Sequence, residues 1–307
     1  MRSPQISIII VSWNVRDALR ACLLSLPTGE ADIETIVVDA ASSDGTAEMV
    51  RAEFPWVRLI ASTENLGYSR GNNLGLAQAQ GQYAFILNPD TELVGDALAR
   101  LREHMEANPR VGVLGPRLIL PDETTQPTRR RFPTFVTALF ESTWLQPLAP
   151  PGVLRAYYAA DLPADQPADV DWLVGAALFV RREAWEQAGM LDERFFMYSE
   201  EMDWQRRLRA AGWLVRYLPA ARVRHHEGGS SAQVPAATHI RFNTSKVRYF
   251  RKYHGRLAGE ALRWYLLGHF AFQLLLEGAK GLAGHKPELR RARTSIYREV
   301  LRSGLRG

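Results

Sequence analysis

Residues 83–93 read YAFILNPDTEL. Five apolar residues, Tyr83 to Leu87, run straight into Asn88, Pro89, Asp90, Thr91 and Glu92. A continuous apolar run suits a strand covered on both faces. Its end in a proline and two carboxylates leaves two readings open: a plain polar loop, or a cation held at the end of a strand.

The same pattern recurs upstream. ISIIIVSWN (6–14), IETIVVDA (33–40) and VRLIAS (57–62) read as strands, and RDALRACLLSL (16–26), DGTAEMVRAEF (44–54) and GNNLGLAQAQ (71–80) as helices. The apolar part of ISIIIV is too short for a signal peptide and is expected to be the first buried strand. Strands alternating with helices of about ten residues imply parallel pairing with helices on both faces. The expected fold class is α/β, with a Rossmann-like, mostly parallel sheet. Downstream, GDALARLREHMEANP (95–109) reads as a helix directly after Asp90, VGVLGPRLIL (111–120) as a strand, and DWLVGAALFVRREAWEQAG (171–189) as strand then helix. SEEMDWQRRLRAAGW (199–213) reads as a helix and LVRYLPAARVRHH (214–226) as one extended segment. Residues 121–170 are expected to form long loops with a short helix near TALFESTWL.

The single cysteine, Cys22, excludes a disulfide framework within the chain and fits a reducing compartment. Its place in a helical stretch marks it as a core residue. The net charge of +5 is uneven: residues 241–307 carry 15 Lys/Arg and 4 Asp/Glu, or +11, so residues 1–240 carry −6. An acidic body with a basic tail differs from a uniformly basic nucleic-acid binder, and no nucleic-acid partner is expected.

In an open parallel sheet, ligands bind beyond the carboxyl ends of the strands. The groups there are Ser12 and Asn14 after strand one, Asp39 with Ser42, Ser43 and Asp44 after strand two, Asn65 after strand three, and Asn88 and Asp90 after strand four. Amides, hydroxyls and carboxylates suit ribose and base edges. No G-x-G-x-x-G follows strand one and no P-loop exists in the chain, so a nucleotide's phosphates need another counter-charge. A hard divalent cation, Mg²⁺ or Mn²⁺, held by carboxylates supplies one.

ISIIIVSWN, IVVDAASSDGT, NLGYSRGNN, LNPDTEL, DWLVGAALFVRR, FFMYSEEMDWQRRLRAAG and HHEGGS occur in this order between residues 6 and 230, and the resemblance they carry covers roughly 5–255. In that order they resemble glycosyltransferase family 2, most of all its bacterial rhamnosyltransferase-like branch. The resemblance implies a GT-A fold, a nucleotide-sugar donor (dTDP-, UDP- or GDP-linked), a divalent metal and inversion at the anomeric carbon. It also implies a catalytic domain over 1–255, with a nucleotide-binding half to about 115 and an acceptor-binding half over 116–255, followed by a helical tail over 256–307. Asp90 matches the last aspartate of the family's D-x-D metal motif, and Asn88 stands where the first often is. The alternative for Asp90 is a cap on the following helix. Asp39 matches the carboxylate that contacts base and ribose; Ala40 replaces the usual Asn after it. Asp44 borders the nucleotide in relatives, although it also reads as a helix start. Asn65, Gly71 and Asn72 match a loop under the sugar and ribose, whereas Gly67 reads as turn chemistry.

In the acidic cluster, the resemblance makes Glu201 the general base, with Asp203 second and Glu200 as a positioning residue; a helix N-terminus that favours acids is the structural alternative. A histidine after the last strand completes the metal site in relatives, and His225 aligns better with it than His226. Trp172 and Gly175 match a loop beneath sugar or acceptor, with a core Trp as the alternative. TRRRFPTF (128–135) is either a solvated loop or a contact for an acceptor diphosphate. In the tail, WYLLGHFAFQLLLEGA (264–279) reads as an amphipathic helix with a polar stripe of His269, Gln273, Glu277 and Lys280. Basic flanks point to an anionic membrane surface; packing on the catalytic domain or on a second subunit of a homodimer is the alternative. The expected role is sugar transfer to a cell-surface glycan or polyprenyl-diphosphate-linked acceptor, in the cytoplasm and peripheral to the inner face of the membrane. A sugar nucleotidyltransferase would need a Gly-rich, Arg/Lys-bearing loop after strand one, and SWNVRDALR has none. A non-catalytic binding module would not need the acidic cluster.

Overall fold

A computed structural model of the chain describes residues 4–226, 229 and 231–306. In the last of the quoted motifs, Glu227, Gly228 and Ser230 lie outside the described residues. The N-terminal alternation follows the sequence pattern: β1 (Ile6–Ser12), α1 (Arg16–Ser25), β2 (Ile33–Asp39), α2 (Thr46–Glu53), β3 (Arg58–Ala61), α3 (Gly67–Gln78) and β4 (Tyr83–Leu87). Then come β5 (Thr91–Val94), α4 (Ala97–Ala107), β6 (Val111–Ile119), β7 (Arg129–Arg130), α5 (Phe135–Phe140), α6 (Val153–Tyr157), β8 (Ala168–Val170), β9 (Trp172–Leu173) and β10 (Ala177–Arg181). The chain continues with α7 (Arg182–Ala188), α8 (Glu200–Ala210), β11 (Leu214–His225), α9 (Pro235–His254), α10 (Arg256–Leu282) and α11 (Pro287–Ser303).

Two compact units form. The first contains residues 1–132, 156–196 and 200–230; the second contains 133–155, 197–199 and 231–307. The expected boundary at Gly255 falls on the one-residue break between α9 and α10, inside the second unit.

The first unit is built on a mixed sheet with strand order β3-β2-β1-β4-β10-β6-β11-β5, and β8 adds to β11. The four N-terminal strands pair in parallel. β10 enters antiparallel between β4 and β6, and β11 returns to parallel beside β6. The apolar runs explain this burial: Ile8, Ile9 and Ile10 are all fully buried, as are Val37, Val38, Phe85 and Ile86. Leu19, Leu23, Leu101 and Met105 cover one face, while Leu76, Trp185, Trp204 and Leu208 cover the other. Cys22 lies in the first of these layers, and burial pushes its thiol up to about 12, so it is inert core, as its helical setting implied.

One alternative falls after β4. Asp90 does not cap a helix, because β5 intervenes before α4. Thr91 to Val94 pair antiparallel with His225 back to Arg222 at the end of β11. That ladder joins residues far apart in the chain, which no local pattern could announce.

Register fixes what stands at the carboxyl edge. Ser12 is opposite Asp39, and Asp39 opposite Ala61. Leu87 is paired with Ile10 on one side and Ala177 on the other. Asn88, Asp90, Gly175 and His225 therefore reach the same edge as Ser12 and Asp39.

Candidate active site

The β1–β2 end of the edge is a polar cradle. Asp39 is 3% exposed. Its Oδ2 accepts a hydrogen bond from the Ser42 N–H (3.4 Å), while Oδ1 is buried without a hydrogen-bond partner. Burial raises the Asp39 carboxyl above its ordinary value, against the Ser42 hydrogen bonds. Ser12 opposite is fully buried and its hydroxyl likewise has no partner. Buried polar atoms in native proteins are nearly always paired, so orphans facing one edge mark a place for a polar ligand. Asn14 and Asp44 build the rim. Asn14 Oδ1 accepts from the Ser43 N–H at 2.7 Å, and the Asn14 N–H donates to Ser42 Oγ. The Asp44 carboxylate accepts from the N–H groups of Arg16 and Thr46, which makes it a local brace at the start of α2.

The NLGYSRGNN segment sorts into separate tasks. Asn65 Oδ1 accepts from the Gly67 N–H. Gly67 adopts φ +66°, where a Cβ would meet the Phe196 carbonyl at 2.4 Å, so turn geometry explains this glycine. A Cβ on Gly71 would stand 2.7 Å from Val11 Cγ1; its absence lets α3 lie against β1. Asn72 is 1% exposed, with its amide nitrogen donating to the Tyr68 carbonyl and its oxygen unpaired. Asn73, which sequence reasoning passed over, ties α3 to the chain after α7 through Leu191 N and O.

At the end of β4, Asp90 is 8% exposed and its Oδ1 lies 3.4 Å from His225 Nε2. His225 Nδ1 lies 2.9 Å from Gln126 Oε1. With Nδ1–H donating to that oxygen, Nε2 is the ring nitrogen turned toward the Asp90 carboxylate. Burial works against the Asp90 charge, yet His225 and the N–H groups of Asp90 and Gly229 hold its pKa below the ordinary range. His226 does not share this setting: its ring pairs with Glu92 at 2.7 Å, and only its backbone N–H reaches Asp90, at the carbonyl. A carboxylate oxygen and an imidazole nitrogen facing each other suit a hard or borderline cation. Among the described residues no three His, Cys, Asp or Glu side chains gather into a metal site. Two protein donors fit Mg²⁺ or Mn²⁺, which commonly keep several positions for water and substrate phosphates.

The third element is the start of α8. Glu200 is buried; Asp203 is fully buried and its Oδ2 accepts from Arg207 Nε at 3.0 Å. Arg207 also donates to the carbonyls of Ala188 and Met190, so Asp203 belongs to a brace between α7 and α8. Glu201 stands against Gly175: a Cβ there would sit 3.3 Å from Glu201 Cβ. Burial raises the Glu201 carboxyl, opposed by the N–H groups of Glu201, Met202 and Gly175 and by the charge of Arg130. Its Oε2 is buried with no hydrogen-bond partner. Tyr68, also missed from the sequence, donates its hydroxyl to the Gly175 carbonyl at 2.6 Å. Burial and the charges of Glu200 and Glu201 push that phenol well above its ordinary value.

Trp172 is 7% exposed and its indole N–H donates to the Arg131 carbonyl, a core placement. The three arginines before it differ. Arg129 is bound to the carbonyls of Leu162 and Pro163, and Arg131 to Asp161. Arg130 donates to the carbonyls of Pro127 and Arg129 and lies over the rings of Tyr158 (4.5 Å), Tyr157 and Trp172, and its charge acts on Glu201.

Comparison with known proteins settles the family. Residues 84–280 match "Glycosyl transferase family group 2", and residues 7–157 match "Glycosyl transferase family 2". The chain belongs to glycosyl transferase family 2. A Mycobacterium tuberculosis relative, N-acetylglucosaminyl-diphospho-decaprenol L-rhamnosyltransferase, is 32% identical over 263 residues, or 81% of this chain and 84% of that one. A low-salt glycan biosynthesis hexosyltransferase of Haloferax volcanii is 30% identical over 66% of this chain and 61% of that one. Among solved structures, a mannosyltransferase from Pyrobaculum calidifontis in complex with GDP-Man and Mn²⁺ superposes with a TM-score of 0.56 at 18% identity, over 98% of this chain and 86% of that one. The GalNAc-T7 structure with UDP, GalNAc and Mn²⁺ gives 0.57 at 15%, over 81% and 48%. The fold of this glycosyltransferase is GT-A, as the order of motifs implied.

Proposed function

We propose that this glycosyltransferase is inverting and cation-dependent, and moves a hexose or deoxyhexose from a nucleoside diphosphate to a hydroxyl of a glycan carried on a lipid diphosphate. Glu201 carries this reading: a partly buried carboxylate with a raised pKa, an unpaired oxygen, and a position against the same strand edge that ends in Asp90. The orphaned Oδ1 of Asp39 and the hydroxyl of Ser12 would take the base and ribose. Asp90 and His225 would hold the cation against the donor diphosphate, and there it would supply Lewis-acid charge to the leaving group.

Inversion needs a single displacement. The acceptor hydroxyl oxygen forms a bond to the anomeric carbon as the bond from that carbon to the phosphate oxygen breaks, and the nucleoside diphosphate leaves with the electron pair. Glu201 takes the hydroxyl proton. A general base typically contributes 10²–10⁴-fold. Asp203 is less suited, because its carboxylate is wholly buried against Arg207. Arg130, which lies over aromatic faces and whose charge acts on Glu201, would meet an acceptor diphosphate.

The mycobacterial relative supports the acceptor class, since that enzyme is named for a diphospho-decaprenol substrate. The test is nucleoside diphosphate release with dTDP-, UDP- and GDP-sugars, with and without Mg²⁺ or Mn²⁺ and a polyprenyl-diphosphate-linked N-acetylglucosamine. Release that needs both acceptor and cation supports the proposal. Release unaffected by chelator, or a product with retained anomeric configuration, contradicts it.

A further inference from the structure

Part of the apolar surface of α10 faces outward. Its buried residues are Gly259, Leu262, Arg263, Leu266, Phe270 and Glu277, so two charged side chains lie on the packed face. Both charges are matched there: Arg263 donates to the Gly304 carbonyl and pairs with Glu260, and Glu277 pairs with Arg290 at 2.5 Å. On the opposite side Leu257 (89%), Trp264 (63%), Leu275 (74%) and Leu282 (93%) stand exposed. They recur at multiples of a helical turn and form one stripe. Phe272 joins it at 45% exposure, and the half-exposed Trp144 packs on Phe272 with ring centroids 5.0 Å apart. The expected polar stripe thus turns inward at Glu277. A helix packed on a water-soluble core ordinarily buries its apolar side and exposes its charges; α10 buries Leu262, Leu266 and Phe270 beside two paired charges and still presents a second set of large apolar side chains outside.

Charge distinguishes the occupants of such a face. The second unit holds 16 Lys/Arg and 5 Asp/Glu, a net +11, which leaves −6 on the first. Arg256 at the start of α10, Lys286 beyond its end, and Arg291 and Arg298 on α11 are exposed. A second copy would bring another +11 against this one, whereas an anionic lipid surface attracts it. No helix among the described residues is long and apolar enough to span a membrane. Tryptophan suits the headgroup boundary where a helix of this kind sits. We propose that the outward stripe of α10, with Trp144 beside it, inserts into the interface of an anionic bilayer, α10 lying in the membrane plane. This goes beyond the catalytic reading and does not depend on it, since binding needs neither donor nor acceptor.

The test is co-sedimentation of the full chain with vesicles of phosphatidylcholine alone or mixed with phosphatidylglycerol, at rising salt. The expected result is sedimentation with the mixed vesicles only, weakened by salt, and about tenfold or more weaker for Leu275→Glu. Trp264→Ser serves as a milder second variant, and circular dichroism checks that each folds. The proposal is overturned if the chain stays in the supernatant at low salt, or if Leu275→Glu and Trp264→Ser both bind as the parent does. It is equally overturned if Leu275→Glu dissociates a dimer that shows no vesicle binding.

Discussion

Nε2 of His225 faces Oδ1 of Asp90 at 3.4 Å, while the ring of His226, one residue on, turns to Glu92. His225 is the last residue of β11 and His226 the first beyond it, and the two rings take different partners. His225→Ala is expected to lower cation-dependent donor affinity by at least about tenfold, since even outer partners of a metal have effects of that order. His226→Ala should leave donor affinity unchanged. Calorimetric titration of the donor with and without Mn²⁺ measures both, and the reverse ranking would sink the assignment.

Gly71 is expected to act through packing. With a Cβ placed 2.7 Å from Val11 Cγ1, Gly71→Ala should destabilise the fold by about 1–3 kcal/mol. Val11→Ala added to it should recover part of that loss, as contacting residues couple. Urea denaturation of the two single variants and the double reads the coupling. A Gly71→Ala protein of parental stability that fails to bind donor would instead make this position a ligand contact.

Asp203→Asn tests the brace between α7 and α8. Removing one partner of a buried ion pair typically costs about 3–5 kcal/mol; Arg207 keeps its carbonyl partners and is 24% exposed, so about 2 kcal/mol is expected. The variant should melt lower yet transfer sugar wherever it remains folded. Parental stability with abolished transfer would move the base from Glu201 to Asp203.

Much of the site is legible in the amino-acid sequence. Apolar β-branched runs ending in Asp39 and Asp90 place those carboxylates at strand ends whatever the tertiary details, because buried strands must emerge into a polar edge. What local pattern does not supply comes from long-range pairing. β5 carries no local signal because Thr91–Val94 is a strand only through its ladder with β11. Tyr68 and Gly175 are 107 residues apart in sequence, so their hydrogen bond beside Glu201 has no signature. The roles of Arg129, Arg130 and Arg131 are indistinguishable as three adjacent letters; the separation is tertiary, with Arg130 over the ring of Tyr158 and Arg131 paired with Asp161. In the tail, periodicity locates the amphipathic helix but not which side faces out, because the buried Glu277 owes its place to Arg290, 13 residues later.

The raised pKa of Glu201 has a sign that can be checked. Burial lifts the folded-state value above the ordinary 4.5, so the protonated form is favoured in the fold. The stability this confers is fully present below 4.5 and is lost as pH rises through the folded value. Glu201→Gln has no such titration, so its melting temperature should gain on the parent as pH rises through that window. The acid limb of kcat/KM in the parent should correspondingly lie above the ordinary glutamate range. Melting temperatures that run parallel across the window would refute the raised value.

The most direct measurement pairs binding with turnover in Glu201→Gln, which keeps the shape of the side chain and removes its basicity. Donor affinity in the presence of Mn²⁺ should match the parent, while transfer to the lipid-diphosphate acceptor falls by about 10²–10⁴-fold. Transfer retained near the parental rate, with donor binding intact, would contradict the assignment of Glu201 as the base that drives an inverting displacement.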